Sequence, residues 1–212
     1  MPRELCANCE RPVAVCYCSA LVQIANKIKV VLILHPLEQK HPFNTGRIAQ
    51  LCLSNSELII AETFSDDALE DLLSKPSALL YPSLEWLPET DELNSQSLDD
   101  TNSPTKPKIE QLIVIDATWR KSKKILHLHP PLQSLPRLSL SGGLTSNYQI
   151  RKTSMEDGLS TIESIVEALQ ILEPEGDFKP MLKPFEKMVA LQQSKQDLEA
   201  LGMRRWTFRD LR

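Results

Sequence analysis

The sequence predicts an α/β domain with a mainly parallel sheet, preceded by a small four-cysteine motif. Two strongly apolar runs, Ile28–Leu34 and Leu112–Ile115, have the length and β-branched content of buried strands. Segments with helical periodicity follow both runs, and alternating strands and helices are typical of parallel sheets. Four of the five cysteines lie within the first eighteen residues, which marks that segment as a separate motif.

The remaining elements alternate along the chain. After the first apolar run, hydrophobic periodicity predicts a helix through Arg47 to Leu53, a strand at Leu58–Ala61, an acidic helix at Asp66–Leu73 and a short strand at Ala78–Tyr81. After the second run it predicts a basic helix at Thr118–Leu128, a strand at Leu138–Leu140, and helices at Thr161–Leu172 and Met181–Leu201. These elements make one domain.

Composition divides the chain into three parts, and the largest part contains an insertion. Residues 1–25 hold the cysteine motif, and residues 26–201 form the main domain. Residues 83–108 are acidic and polar, and Asp99–Pro104 lacks any large apolar residue, so this stretch is predicted to be a loop or disordered insertion. Residues 202–212 form an Arg-rich basic tail, in which Trp206 and Phe208 would also allow docking on the protein's own surface.

The formal charge of −4 hides a strong partition. Between Ile48 and Thr105 there are twelve acids and one base, so the rest of the chain carries a net charge of +7. A basic remainder of this size is compatible with a nucleic-acid partner, although the average charge would argue against one. We expect the acidic stretch to face away from such a partner.

The chain has no basic and apolar leader, and its longest aliphatic run, Val30–Leu34, is too short to cross a bilayer. We therefore expect a cytoplasmic protein with reduced thiols and no membrane partner. The sequence indicates no oligomeric state.

The four clustered cysteines, Cys6, Cys9, Cys16 and Cys18, have the spacing C-x2-C-x6-C-x-C. Four thiolates around one tetrahedral Zn²⁺ form a closed structural site, so this spacing predicts zinc, with a turn rather than a strand at the second pair. A redox pair or free thiols are the alternatives. Cys52 lies in an apolar segment and is predicted to be a core residue.

Polar residues follow both apolar strands. His35 ends the first, and Asp116 ends the second just before Trp119. Ligands of open parallel sheets bind beyond the carboxyl ends of the strands, which makes these residues candidates for a site. Each also has a structural alternative: His35 as a hydrogen-bonded turn residue, Asp116 as a helix N-cap, and Trp119 as a packing residue.

Seven short motifs along the chain resemble, in order, those of the DTW-domain family, and in particular its bacterial tRNA-uridine aminocarboxypropyltransferases. They are Cys6-x-x-Cys9-x-Arg11-Pro12 with Cys16-Tyr-Cys18, Leu34-His35-Pro36-x-Glu38, Asn44-Thr45-Gly46-Arg47, Leu80-Tyr81-Pro82, Ile115-Asp116-Ala117-Thr118-Trp119, Tyr148-x-Ile150-Arg151-Lys152, and Leu159-Ser160-Thr161-x-Glu163. Ala117 and Ser164 are small departures from the family pattern. The acidic insertion and the basic tail lie outside the motifs.

The resemblance implies a SPOUT-like fold whose carboxyl-terminal part is knotted and holds S-adenosylmethionine. It also implies transfer of the 3-amino-3-carboxypropyl group from that donor to N3 of a tRNA uridine, which releases 5′-methylthioadenosine. Uridine N3 must lose its proton before it attacks, so the reaction needs a general base. Asp116 is our candidate for this base, with an electrostatic role near the sulfonium as the alternative.

The resemblance also implies positions for the donor and the RNA. Our candidates for the donor pocket are His35, Thr45, Gly46, Thr118, Trp119, Ser160 and Thr161. Ser160 and Glu163 equally match a capping box, which would make that segment a helix start. Our candidates for tRNA contact are Arg120, Lys121, Lys123, Lys124, Arg151 and Lys152. Arg151 or Lys152 would alternatively bind the donor carboxylate, and the lysine run would alternatively be a solvated helix face.

Two other functions fit the same sequence features. One is an RNA methyltransferase that uses S-adenosylmethionine and releases S-adenosylhomocysteine. The other is a non-catalytic zinc-ribbon module that binds RNA without binding the donor.

Overall fold

A six-stranded sheet organises the protein in the computed structural model, which describes residues 4–39, 41, 44–93, 108–140 and 159–193. The strands are β1 Lys29–Leu34, β2 Ser56–Ile60, β3 Ser77–Leu80, β4 Glu92–Leu93, β5 Gln111–Asp116 and β6 Arg137–Leu138. Their order across the sheet is β2-β1-β5-β3-β6-β4, and all of these pairings are parallel. The predicted mainly parallel α/β class is confirmed.

The helices also follow the predicted order. They are α1 Gly46–Cys52, α2 Asp66–Leu72, α3 Trp119–Leu128, α4 Pro130–Gln133, α5 Thr161–Leu172 and α6 Leu182–Gln193. The short helix α4 and strand β4 were not predicted. Strand β4 lies within residues 83–108, which were expected to be a loop or disordered. Its two residues are ordered by backbone pairing with β6, which requires no apolar run.

Alternation along the strands gives the sheet two covered faces. Val30 and Leu32 of β1 point towards α1, α5 and the cysteine segment, whereas Val31 and Ile33 point towards α2 and α3. Strand β5 repeats this pattern, and Asp116 shares the direction of Leu112 and Val114. The strand period therefore directs the Asp116 carboxylate towards the face that α1 and α5 cover.

The residues that follow β1, β2 and β5 lie at one edge of the sheet, because parallel strands end on the same side. Leu34, the last residue of β1, pairs with Asp116 of β5 and with Ile60 of β2. Helices α1, α3 and α5 each begin beyond this edge. The carboxyl-terminal knot implied by the resemblance stays a prediction. None of the helices in the described ranges combines the length and apolarity that a bilayer crossing needs.

Candidate active site and metal centre

Asp116 lies where the beginnings of two helices meet at the sheet edge. Its carboxylate is buried, with 9% of the residue exposed. The Thr161 hydroxyl, on the first residue of α5, donates a 2.8 Å hydrogen bond to Asp116 Oδ1. On the other side, a Cβ atom on Gly46, the first residue of α1, would lie 2.3 Å from Asp116 Oδ2. Glycine at position 46 is therefore what allows α1 to begin against the carboxylate.

The helix-capping alternative for Asp116 is wrong. Helix α3 begins at Trp119, and its N-cap residue is Thr118, whose side chain makes no capping hydrogen bond. The Asp116 side chain instead bonds to α5, 45 residues further along the chain. The orientation of strand β5 decides this, because it directs the carboxylate to the face opposite α3.

The two loops predicted to hold the donor lie on either side of Asp116. Thr45 is buried and immediately precedes α1. Ser160 precedes α5 and forms the complete capping box with Glu163: the Ser160 amide donates to Glu163 Oε2 at 2.8 Å, and the Glu163 amide donates to Ser160 Oγ at 3.5 Å. The Ser160 hydroxyl also donates to Glu163 Oε2 at 2.7 Å. The helix-start alternative for Ser160 is thus confirmed, while Thr161 directs its hydroxyl to the carboxylate.

His35 makes hydrogen bonds through both ring nitrogens. Nδ1 accepts from the Leu37 amide at 3.1 Å, so Nε2 carries the proton and donates to Glu62 Oε1 at 2.8 Å. The ring is 4% exposed. These contacts are those expected of a hydrogen-bonded turn residue, the structural alternative for His35. The His35 side chain positions the Pro36–Glu38 turn after β1.

Trp119 stands at the rim of the site. Its indole packs edge-on against Tyr81 at a centroid distance of 5.7 Å, yet the residue remains 40% exposed. The Tyr81 hydroxyl lies 3.0 Å from the Ser122 hydroxyl, which donates to the Trp119 carbonyl. Burial raises the pKa of the Tyr81 hydroxyl. One indole surface is therefore anchored, and another is available to a planar ligand.

The basic helix α3 uses its three lysines in contacts within the protein. The Lys121 ammonium donates to Glu38 Oε1 at 2.7 Å, and the Lys124 ammonium donates to Glu62 Oε2 at 2.9 Å. The Lys123 ammonium lies 4.8 Å from the centroid of the Trp86 ring. The two ion pairs join α3 to the turns that follow β1 and β2.

Arg120 differs from the three lysines. It is exposed, and within the described residues its guanidinium makes neither an ion pair nor a hydrogen bond. The other two predicted RNA contacts, Arg151 and Lys152, lie outside the described residues.

Two residues of the acidic stretch between Ile48 and Thr105 contact α3, and the expectation that this stretch faces away from an RNA partner stays a prediction. Glu62 and Trp86 both belong to the acidic stretch, and both contact lysines of α3. The Trp86 ring also stacks on His127 of the same helix at 4.7 Å. The two regions meet because the turns after β2 and β3 lie at the same sheet edge as α3. Asp99 and Asp100 lie outside the described residues, as does the basic tail.

The four predicted cysteine ligands come together. Their sulfur atoms all lie within 4.8 Å of one another, and the Cys6–Cys18 and Cys9–Cys16 sulfur distances are both 3.7 Å. A tetrahedral site with Zn–S bonds of about 2.3 Å places its sulfurs about 3.8 Å apart, so this cluster has the size that zinc requires. Cys18 begins a 3₁₀ turn, which confirms the prediction of a turn at the second pair.

The cysteine segment shares its core with the main domain. Cys9 and Tyr17 are almost completely buried in the apolar cluster that also contains Val30 and Leu32. The pKa of the Cys6 thiol is lowered to about 6, chiefly by a hydrogen bond from the Cys9 backbone, whereas burial raises the pKa of the Cys9 and Cys18 thiols. Cys52 is buried as predicted, and its pKa is raised by burial.

Sequence reasoning missed three residues that build the site. Glu38 and Arg47 stand inside recognised motifs, so the motifs held a signal for them. Glu62 stands in no motif, and the only hint was an acid directly after a predicted strand. Hydrogen bonds from His35 and then Lys124 lower the pKa of the Glu62 carboxyl. Its negative charge therefore holds the ends of β1, β2 and α3 together.

Comparison with known proteins identifies the family. The DTW domain matches residues 3–193 of this chain. The tRNA-uridine aminocarboxypropyltransferase 2 of Drosophila melanogaster is 30% identical over 189 residues, which cover 85% of this chain and 71% of that protein. The tRNA-uridine aminocarboxypropyltransferase A of Arabidopsis thaliana is 26% identical over 214 residues, covering 90% and 81%. For tRNA-uridine aminocarboxypropyltransferase 2 of Mus musculus the identity is 28% over 201 residues, covering 90% and 64%. No solved structure gives a significant match. The chain belongs to the DTW domain family.

Proposed function

We propose that this protein is a tRNA-uridine aminocarboxypropyltransferase that takes the 3-amino-3-carboxypropyl group from S-adenosylmethionine and attaches it to N3 of a tRNA uridine. Curated relatives that align with most of the chain are named for this transferase activity. The observation that carries the proposal is the buried Asp116 carboxylate between Gly46 and Thr161, the two loops chosen for the donor.

The reaction replaces one carbon–sulfur bond with a carbon–nitrogen bond. The uridine N3–H proton moves to the Asp116 carboxylate, and the N3 electron pair attacks the donor carbon next to the sulfonium. The bond between this carbon and sulfur breaks, and its electrons neutralise the sulfonium. The products are 3-(3-amino-3-carboxypropyl)uridine and 5′-methylthioadenosine, with one proton left on the enzyme.

We assign the role of general base to Asp116. The residue is buried, and its Oδ1 accepts a hydrogen bond from the Thr161 hydroxyl. An electrostatic role near the sulfonium would require only the charge. Proton abstraction requires the charge together with an oxygen that reaches the uridine.

The donor pocket is assigned to the residues around Asp116. Thr45 and Gly46 are assigned to the donor because the start of α1 lies directly against the Asp116 carboxylate. Thr118 precedes the exposed Trp119 indole, which provides a surface on which adenine stacks. Ser160 and His35 act by positioning the helix start and the turn after β1, since their polar groups already have protein partners.

The tRNA contact is assigned first to Arg120, with Lys123 beside it. Arg120 is exposed at the start of α3, directly after Trp119, so its charge lies next to the proposed site. Lys121 and Lys124 neutralise glutamates instead, and their main role is to hold α3 against the turns after β1 and β2. Arg151 and Lys152 remain proposed contacts to phosphate or to the donor carboxylate.

We assign Zn²⁺ to the four cysteines as a structural ion. Four thiolates complete its coordination and leave no position for a substrate, so the ion supplies a crosslink rather than chemistry.

The test is the Asp116→Asn variant with S-adenosylmethionine and tRNA lacking the modification. We expect donor binding, measured by calorimetry, to persist within a few fold, and formation of modified uridine, measured by nucleoside mass spectrometry, to disappear. The wild type should release 5′-methylthioadenosine; S-adenosylhomocysteine would indicate a methyltransferase, and absence of donor binding would indicate a binding module. Equal turnover by the variant would refute the role of Asp116.

A further inference from the structure

The first turn of α1 is joined to the cysteine cluster by the side chain of Arg47. Its Nη2 donates to the Asn8 carbonyl at 3.0 Å and to Glu10 Oε1 at 2.9 Å. Asn8 and Glu10 flank Cys9, and the side-chain amide nitrogen of Asn8 lies 3.6 Å from Cys18 Sγ. The guanidinium therefore holds the turn that carries the first pair of metal ligands.

The other end of the same residue belongs to the candidate active site. Arg47 directly follows Gly46, whose Cα packs against the Asp116 carboxylate. The Arg47 amide donates to Asn44 Oδ1 at 3.0 Å, which fixes the start of α1. The backbone of Arg47 is thus adjacent to the residue that lies against Asp116.

We propose that Arg47 is a positioning residue that couples the four-cysteine metal site to the donor pocket. With metal bound, the turn around Cys9 presents the Asn8 carbonyl and the Glu10 carboxylate in fixed positions. Arg47 then holds α1 at the distance that accommodates both the Asp116 carboxylate and the donor. Loss of the metal releases both acceptors, and the start of α1 is no longer held from that side.

The geometry supports a positional role better than a simple surface ion pair. The Arg47 side chain is 22% exposed and that of Glu10 is 56% exposed, so their charge attraction alone contributes little. The bond to the Asn8 main chain adds a fixed direction, which a mobile ion pair lacks. A planar guanidinium can bind both acceptors together, whereas a lysine ammonium presents a point charge.

Coupling between two sites is reciprocal, so the donor should also stabilise the metal. The identity of the donor rests on the proposed function, but the link from Arg47 to the cysteines does not. In the wild type, we expect saturating S-adenosylmethionine to raise the affinity for zinc, measured at equilibrium by competition with a chromogenic chelator, by about tenfold, within the usual range of coupling between sites.

The test measures the zinc affinity of the wild type and of three variants by equilibrium competition with the chelator, each with and without S-adenosylmethionine. Without donor, Arg47→Ala should bind zinc about tenfold more weakly than the wild type, as is typical when a contact supporting metal ligands is lost. The donor should not raise the zinc affinity of this variant. Glu10→Gln, altered at an exposed carboxylate, should change both quantities in the same direction but less, and Arg47→Lys should recover part of the loss.

Lys27→Met is the matched control, since it also removes a cation from an ion pair, but at an exposed pair with Glu175. It should behave as the wild type in both conditions. A wild-type zinc affinity in Arg47→Ala, or a zinc affinity that the donor raises as it does in the wild type, would overturn the proposal. Failure of calorimetry to detect donor binding to the wild type would instead contradict the proposed function, and the donor-free comparison would still decide the role of Arg47.

Discussion

Gly46→Ala is the substitution for which the structure gives the most direct expectation. The added Cβ would lie 2.3 Å from Asp116 Oδ2, 3.0 Å from Asp116 Cγ and 3.1 Å from Leu32 Cδ2. Since such contacts below 3.0 Å essentially never occur, the carboxylate or the helix must move by the difference of 0.7 Å or more. Overpacking of this kind costs about 1–3 kcal/mol.

We expect Gly46→Ala to lower turnover strongly and the free energy of unfolding only modestly. Alanine favours helix over glycine by up to about 1 kcal/mol, which offsets part of the overpacking. The free energy of unfolding should therefore fall by about 2 kcal/mol or less, which leaves a domain of ordinary stability folded. A displacement of about 1 Å at a reacting group lowers rates by roughly 100-fold, so we expect turnover to fall 10- to 100-fold.

The assay compares urea unfolding with initial rates of 5′-methylthioadenosine release for wild type, Gly46→Ala and a control. Gly176→Ala is the matched control because its Cβ would lie 2.4 Å from Phe178 Cε2 in the core. Gly176 lies beyond the far end of the twelve-residue helix α5, about 18 Å along its axis from Thr161. It should lose stability and keep its turnover. Wild-type turnover in Gly46→Ala would refute the placement of Asp116 as the reacting group.

Two further predictions concern the charges around α3. Arg120→Met should weaken tRNA binding and reduce the slope of log affinity against log salt by about one. Lys121→Met should leave that slope nearly unchanged, because the Lys121 ammonium already pairs with a glutamate. Filter binding across a salt series measures both slopes, and the opposite pattern would show that Lys121 contacts phosphate. Glu62→Gln should destabilise the protein most at neutral pH. Hydrogen bonds from His35 and Lys124 lower the pKa of Glu62 in the folded state. The charged carboxylate therefore stabilises the folded protein fully above the ordinary glutamate pKa, and this contribution is lost as the pH falls through the folded-state pKa. Urea unfolding from pH 3 to pH 7 should give curves that converge at acid pH, and a constant difference between them would contradict this account.

Local signals predicted the elements well. The capping box at Ser160 and Glu163 places the start of α5 at Thr161, as predicted. The apolar runs became β1 and β5, because a strand buried on both faces needs a continuous apolar sequence. Strand β4 was missed because its ordering comes from pairing with β6, which no local pattern reveals.

The partners of the charged side chains could not be predicted from local sequence patterns. The run from Arg120 to Lys124 resembles a phosphate-binding helix, yet Lys121 bonds to Glu38, 83 residues earlier in the chain. Lys124 likewise bonds to Glu62, 62 residues earlier. Long flexible side chains take the partner that folding brings nearest, and sequence separation does not predict that partner.

The sequence by itself determined the order of the longer strands and helices along the chain, the four-cysteine spacing and the placement of Asp116 at the end of a buried strand. These follow from periodicities and spacings within about a dozen residues, where backbone geometry leaves few alternatives. Only the tertiary structure decided that Asp116 lies between Gly46 and Thr161, and that Arg47 joins this site to the cysteines. The parallel sheet is the physical reason, because it brings strand ends and helix starts from distant parts of the chain to a single edge.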